Sequence, residues 1–130
     1  YFNELVAHIQ RTKPTIVGHF DVLTKFSVID EQNPAYRRMA LDALEKVVKV
    51  TPVVEVNTGA ISRKWREIPY PADFILRGLR EMSGKIILGA DTHAANTIDC
   101  AFPLAVEIAK KAGFDTLLTL WPDGFHEEKI

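Results

Sequence analysis

The sequence predicts an α/β architecture built on a parallel sheet, and three observations carry that expectation. Short runs rich in β-branched residues recur along the chain, stretches with a helical hydrophobic period separate them, and polar residues cluster just after the first three runs. Alternation of this kind marks strand–helix–strand units. In such folds, sites form at the C-terminal ends of the strands.

Taken in order, residues 2–12 place Phe2, Leu5, Val6 and Ile9 at helical spacing and stop near Thr12-Lys13-Pro14. Thr15-Ile16-Val17-Gly18 reads as the first strand, with His19 and Asp21 close to its end. Residues 27–33 read as a loop, and Asn33-Pro34 as a helix start, because proline suits the first helical position. Residues 35–48 carry Tyr36, Ala40, Ala43, Leu44, Val47 and Val48 on one helical stripe, halted by Thr51-Pro52. Val53-Val54-Glu55-Val56-Asn57 is the second strand. Residues 58–71 form an irregular loop, and a helix over 72–82 ends at Ser83-Gly84. Lys85-Ile86-Ile87-Leu88-Gly89 is the third strand, residues 102–112 a helix opened by Pro103, and residues 115–120 the fourth strand. The tail beyond Pro122 is polar and expected to be marginal.

A chain of 130 residues is the size of one domain. Its 16 Lys and Arg against 17 Asp and Glu leave a net charge of -1, so neither nucleic acid nor an anionic membrane is an expected partner. No apolar run is long enough to span a bilayer, and no signal-peptide pattern opens the chain. With Cys100 as its single cysteine, the chain has neither an internal disulfide nor a multi-thiolate zinc site, and a cytoplasmic location is expected. The first residue, Tyr1, already lies in a helical pattern, which suggests a piece of a longer protein.

Four constellations carry chemistry. In Gly89-Ala90-Asp91-Thr92-His93, Asp91 and His93 are two apart and leave one face of an extended strand. A carboxylate and an imidazole together suit a divalent first-row metal, while an N-capping Asp beside a surface His is the plainer account. In Gly18-His19-Phe20-Asp21, His19 is either a ligand at a strand end or a hydrogen-bonded structural histidine. Asp21 would orient an imidazole or cap the following turn. Glu55 and Asn57 share a face, and Glu55 needs a cation or strong donors. The loop Arg63-Lys64-Trp65-Arg66 offers a planar guanidinium fork for a phosphate ester with an aromatic wall, although Lys64 and Arg66 read more simply as solvated charges. His8 and His126 are expected to be non-functional. No Gly-x-Ser-x-Gly elbow, phosphate-binding glycine loop or dinucleotide fingerprint is present, and Cys100 reads as a small core residue.

In this order the segments resemble the later motifs of the polymerase-and-histidinol-phosphatase (PHP) family of phosphoesterases. Gly18-His19-Phe20-Asp21 is similar to the family's Gly-His-apolar-Asp motif and Glu55-Val56-Asn57-Thr58 to its Glu-apolar-Asn motif. Ala90-Asp91-Thr92-His93 is similar to the closing Ser-Asp-x-His motif, with Ala90 where many members have serine. The Asn57-Thr58-Gly59 turn followed by Arg63 resembles the histidinol-phosphatase branch. The resemblance implies the C-terminal half of a distorted TIM-like barrel of seven strands, with two or three divalent ions (Zn, Mn or Fe) in the complete protein. It implies His19, Asp91 and His93 as metal ligands, Asp91 also as the group assisting proton transfer, Arg63 and Lys25 as phosphate binders, and Glu55, Asn57 and Asp21 around them. Lys25 stands where such phosphatases often carry an arginine. The family's N-terminal His-x-His motif is absent, so the chain would hold only part of the metal centre, be inactive alone, and be poorly stable or a homo-oligomer.

The implied activity is hydrolysis of the small substrate L-histidinol phosphate in histidine biosynthesis. Another phosphate ester, or a non-catalytic module that keeps the barrel, remain the alternatives.

Overall fold

The computed structural model describes residues 1–26 and 29–130, so Ser27 and Val28, part of the expected loop, lie outside the described residues. Four of the expected helices form within a residue or two of their predicted bounds. Helix α1, Phe2–Thr12, buries Phe2 and Ile9 and closes on a left-handed Lys13 whose N–H returns to the Ile9 carbonyl. Helix α2, Pro34–Val48, is capped by the Asn33 side chain, which accepts from the Ala35 N–H at 2.9 Å. A short helix α3, Gly59–Ser62, precedes α4, Asp73–Glu81, and α5 spans Phe102–Lys111. Helix α1 packs on α2, and α2 on α4.

The strands are β1, Val53–Asn57, β2, Lys85–Gly89, β3, Thr116–Trp121, and β4, Gly124–Lys129, in the order β1-β2-β3-β4. Strands β1 and β2 run parallel from Val53 opposite Lys85 to Asn57 opposite Gly89. Strand β3 is parallel to β2, and β4 antiparallel to β3. One core lies between sheet and helices and includes Phe20, Leu44, Val54, Val56, Ile75, Leu79, Ile86 and Ala109. Burying each large aliphatic side chain there contributes about 1.5–3 kcal/mol.

Three expectations change. Residues 15–18 make one parallel bridge, Val17 to Val54, instead of a strand. Pro14 on one side and the positive φ of His19 on the other leave too little extended chain for a ladder. The tail beyond Pro122 is strand β4, turned back through Pro122-Asp123 onto Gly124 at φ 123°, so the sheet is mixed and not purely parallel. Residues 58–71 contain α3 and end with Tyr70 in an antiparallel bridge to Asn57. Among the described residues no helix is long and apolar enough to cross a membrane.

Candidate functional site

Because Asn57 and Gly89 are register partners, the C-terminal ends of β1 and β2 stand side by side and whatever follows them must meet. On the β1 side, Glu55 and Asn57 share a face as alternation requires. The Asn57 amide donates to Glu55 Oε2 at 2.9 Å, and the same oxygen accepts the backbone N–H of His19 at 3.0 Å. Asn57 Oδ1 takes the Gly59 N–H at 2.9 Å, so this buried amide is satisfied at both ends. Glu55 therefore acts as a bracket between the Val17 segment and β1. Its carboxylate lies against Gly89, where any Cβ would overlap Glu55 Oε1.

On the β2 side the strand ends at Gly89, and Asp91 is left-handed at φ 45°. Asp91 and His93 are thus not alternate residues of an extended strand, as the spacing predicted. A turn brings them together instead, with His93 Nε2 3.4 Å from Asp91 Oδ1. Arg63 reaches across from the end of α3, donating from Nη1 to the Asp91 carbonyl at 3.0 Å and pairing through Nη2 with Asp91 Oδ2. This crossing requires a glycine at position 59. A Cβ there would lie 2.7 Å from Arg63 Nη2 and 2.8 Å from Asp91 Cβ. Partial burial pushes the Asp91 carboxyl up, but the hydrogen bond and charge of Arg63, aided by His93, outweigh it and hold the group below the ordinary carboxylate value.

Lys25 and Arg63 converge on Trp65: Lys25 Nζ is 3.7 Å from the indole centroid and Arg63 Cζ 4.6 Å. Lys64 is exposed, in keeping with a solvated charge. Arg66 is not: only 8% of its side chain is accessible, and it pairs with Glu31 Oε1 at 2.6 Å and with the Thr24 hydroxyl. Sequence reading missed this anchor because its partners are 35 and 42 residues away and no local pattern links them.

Asp21 takes neither expected role. Fully buried, it accepts the Ala72 N–H on Oδ2 at 3.0 Å at the entry to α4, and its Oδ1 has no partner. His19 joins Glu55 through its backbone, while its side chain is exposed. Among the described residues no three His, Cys, Asp or Glu side chains come together as a group able to hold a metal ion. Asp91 and His93 form a pair whose donor chemistry a first-row divalent ion accepts, but one Asp91 oxygen is held by Arg63 and a pair does not close a ligand set. The residues present do not by themselves fit a metal centre.

Two concavities lie among the described residues, and one of them reaches this cluster. A cleft of about 660 Å³ lies between α1 and α2, lined by Phe2, Val6, Leu23 and Met39. Its lining also carries Asp30, Asp42 and Lys46, and includes none of the residues at the ends of β1 and β2. A smaller depression of about 410 Å³ is bordered by Trp65, Thr24, Glu31 and Arg66. Convergent polar and charged groups, more than volume, mark a site, and they gather at the ends of β1 and β2.

No family model matches the chain. Over 131 residues it is 24% identical to a protein described as a probable histidinol-phosphatase from Schizosaccharomyces pombe, a match covering 95% of this chain and 42% of that protein. The chain therefore spans less than half the length of that curated relative, and the likeness is to a phosphatase.

Proposed function

We propose that this chain is the phosphate-holding part of a divalent-metal-dependent phosphomonoesterase that converts L-histidinol phosphate to L-histidinol and phosphate. The observation that carries the reading is the gathering of Arg63 and Lys25 on Trp65 beside Asp91 and His93, at the adjacent ends of two parallel strands. The similarity to a probable histidinol-phosphatase supports the same class. The complete protein would be a distorted seven-stranded barrel in the cytoplasm. It would hold two or three ions of Zn, Mn or Fe, with His19, Asp91 and His93 as the ligands contributed by this chain.

The chain's own residues suit parts of the reaction. Arg63 presents a planar fork to two phosphoryl oxygens, and Lys25 adds a point charge. In hydrolysis the oxygen of water ends on phosphorus, the ester P–O bond breaks, and the leaving alkoxide takes a proton. Asp91, ionised at neutral pH, is the acceptor for the proton the water loses. Before a phosphate arrives, Arg63 holds that carboxylate. Substrate binding must therefore exchange one anion for another on the guanidinium. Glu55 and Asn57 keep the strand ends in register behind these groups.

The second reading is a non-catalytic module that keeps the barrel. Hydrolysis of L-histidinol phosphate, with metal content determined on the same samples, separates the readings. The 130-residue chain is compared with the full-length protein that contains it. Phosphate release and bound metal in the full-length protein alone support the proposal. Bound metal without hydrolysis of this ester keeps the class and overturns the substrate, and no metal in either form leaves the non-catalytic module.

A further inference from the structure

Trp65 is 40% exposed, a costly place for an indole, and it carries two cations on its ring while Phe26 approaches to 6.3 Å between ring centroids. Lys25 also lies 5.0 Å from the Phe26 ring, and among the described residues it makes no ion pair with a carboxylate. Two like charges repel, so holding both on one aromatic side chain is favourable chiefly when an anion completes the arrangement. Asp91 is that anion for Arg63, held on Nη1 and Nη2, and Nε is shut away from solvent, so a phosphate takes the guanidinium fork by displacing Asp91.

We propose that Trp65 is a positioning residue: its indole fixes Lys25 and Arg63 as a pair that together take one phosphate group. The proposal rests on the phosphomonoesterase reading and adds to it the element that lets a lysine serve there. A lysine ammonium on four flexible carbons lacks the preorganised fork of arginine and loses more freedom on binding. The flat indole 3.7 Å beneath Nζ restricts that freedom before the ligand arrives. Trp65 thus contributes to phosphate affinity through Lys25 and not by touching the anion.

The test is calorimetric titration of the full-length protein with inorganic phosphate, using chloride at equal ionic strength as control. Trp65→Leu removes the aromatic face and Trp65→Tyr keeps one. Trp65→Leu is expected to weaken phosphate about tenfold, the size of a partly desolvated cation–π contact, with KM for the ester rising while kcat changes less. Trp65→Tyr is expected to stay within about threefold of the parent. Lys25→Met should weaken binding to a similar degree, and combining it with Trp65→Leu should add little, because coupled residues are not additive. Within these 130 residues the other indole is Trp121, so the Trp65 emission is read as the component of the full-length protein's spectrum that Trp65→Tyr removes. Lys25→Met should shift that component, a readout that survives if Trp65→Leu fails to fold.

Phosphate affinity unchanged in Trp65→Leu, with loss in Lys25→Met, overturns the positioning role and leaves the phosphatase reading standing. Additive losses in the double variant, or unaltered Trp65 emission in Lys25→Met, overturn it as well. A parent protein that neither binds phosphate nor releases it from the ester overturns both.

Discussion

A carboxylate shut away from water costs free energy whenever it ionises, and Asp21 is in that position. It is fully buried, one oxygen is unpartnered, and its one side-chain hydrogen bond is to the Ala72 N–H. Burial pushes its pKa up from 3.8 to about 6, although the Ala72 N–H and the nearby Arg66 charge pull the other way. The folded state therefore binds this proton more tightly than the unfolded chain. The resulting stabilisation is fully present below pH 3.8 and is lost as the pH rises through about 6. Asp21→Asn keeps an acceptor for Ala72 and removes the ionisation. Its urea unfolding midpoint, measured relative to the parent, should rise between about pH 4 and pH 7, by an amount equivalent to at most about 3 kcal/mol. A difference that is flat across that range would show that Asp21 does not titrate there. The site residues teach a related lesson about what sequence reveals. Glu55 and Asn57 were legible because strand alternation alone puts them on one face. Asp91 and His93 were named correctly as neighbours for the wrong geometric reason, since a left-handed turn is not visible in spacing.

At the scale of elements, the four longer helices were legible nearly to the residue because a 3.6-residue apolar period and a cap such as Asn33 are local signals, while the one-turn α3 was read as loop. Strand β4 was not, because an edge strand gains its backbone hydrogen bonds from β3 without burying side chains, and His126, Glu127, Glu128 and Lys129 carry no apolar pattern. Its one local clue was the Pro122-Asp123-Gly124 turn signal. Long-range ties were invisible for the same reason that Arg66 was misread: the loop over 58–71 is fastened to the Val22–Thr24 turn and to Glu31 by one guanidinium. Removing one partner of a nearly buried pair strands the other, at a cost of about 2–4 kcal/mol where, as with Glu31, a quarter of the partner side chain still reaches water. Arg66→Met is expected to lower the chemical unfolding midpoint accordingly. Arg66→Met combined with Glu31→Gln should recover part of the loss. Equal destabilisation in the single and double variants would mean that the pair is not what fastens the loop.

At the scale of the molecule, the two sides of the sheet end differently. Beyond β4 the edge is rich in charge, which discourages further pairing. Beyond β1 lies the Val17 segment. Val17 spends its N–H on the Val53 carbonyl at 2.9 Å, and its carbonyl accepts the Glu55 N–H at 2.8 Å. The N–H groups of Ile16 and Gly18 make no backbone hydrogen bond among the described residues, and in a parallel pair alternate residues face opposite neighbours, so these are the donors a further strand beside Val17 would use. If the complete protein closes a barrel as proposed, it must extend the sheet there. Hydrogen exchange measures this directly. In the 130-residue chain the amides of Ile16 and Gly18 should exchange quickly while Glu55, bonded to Val17, is slower. In the full-length protein, Ile16 and Gly18 should become at least about a hundredfold slower, the protection of an amide brought into a stable ladder. Equal, fast exchange of these two amides in both forms would mean that no strand pairs there, and the seven-stranded barrel would have to be abandoned while the chemistry at the ends of β1 and β2 stood untouched.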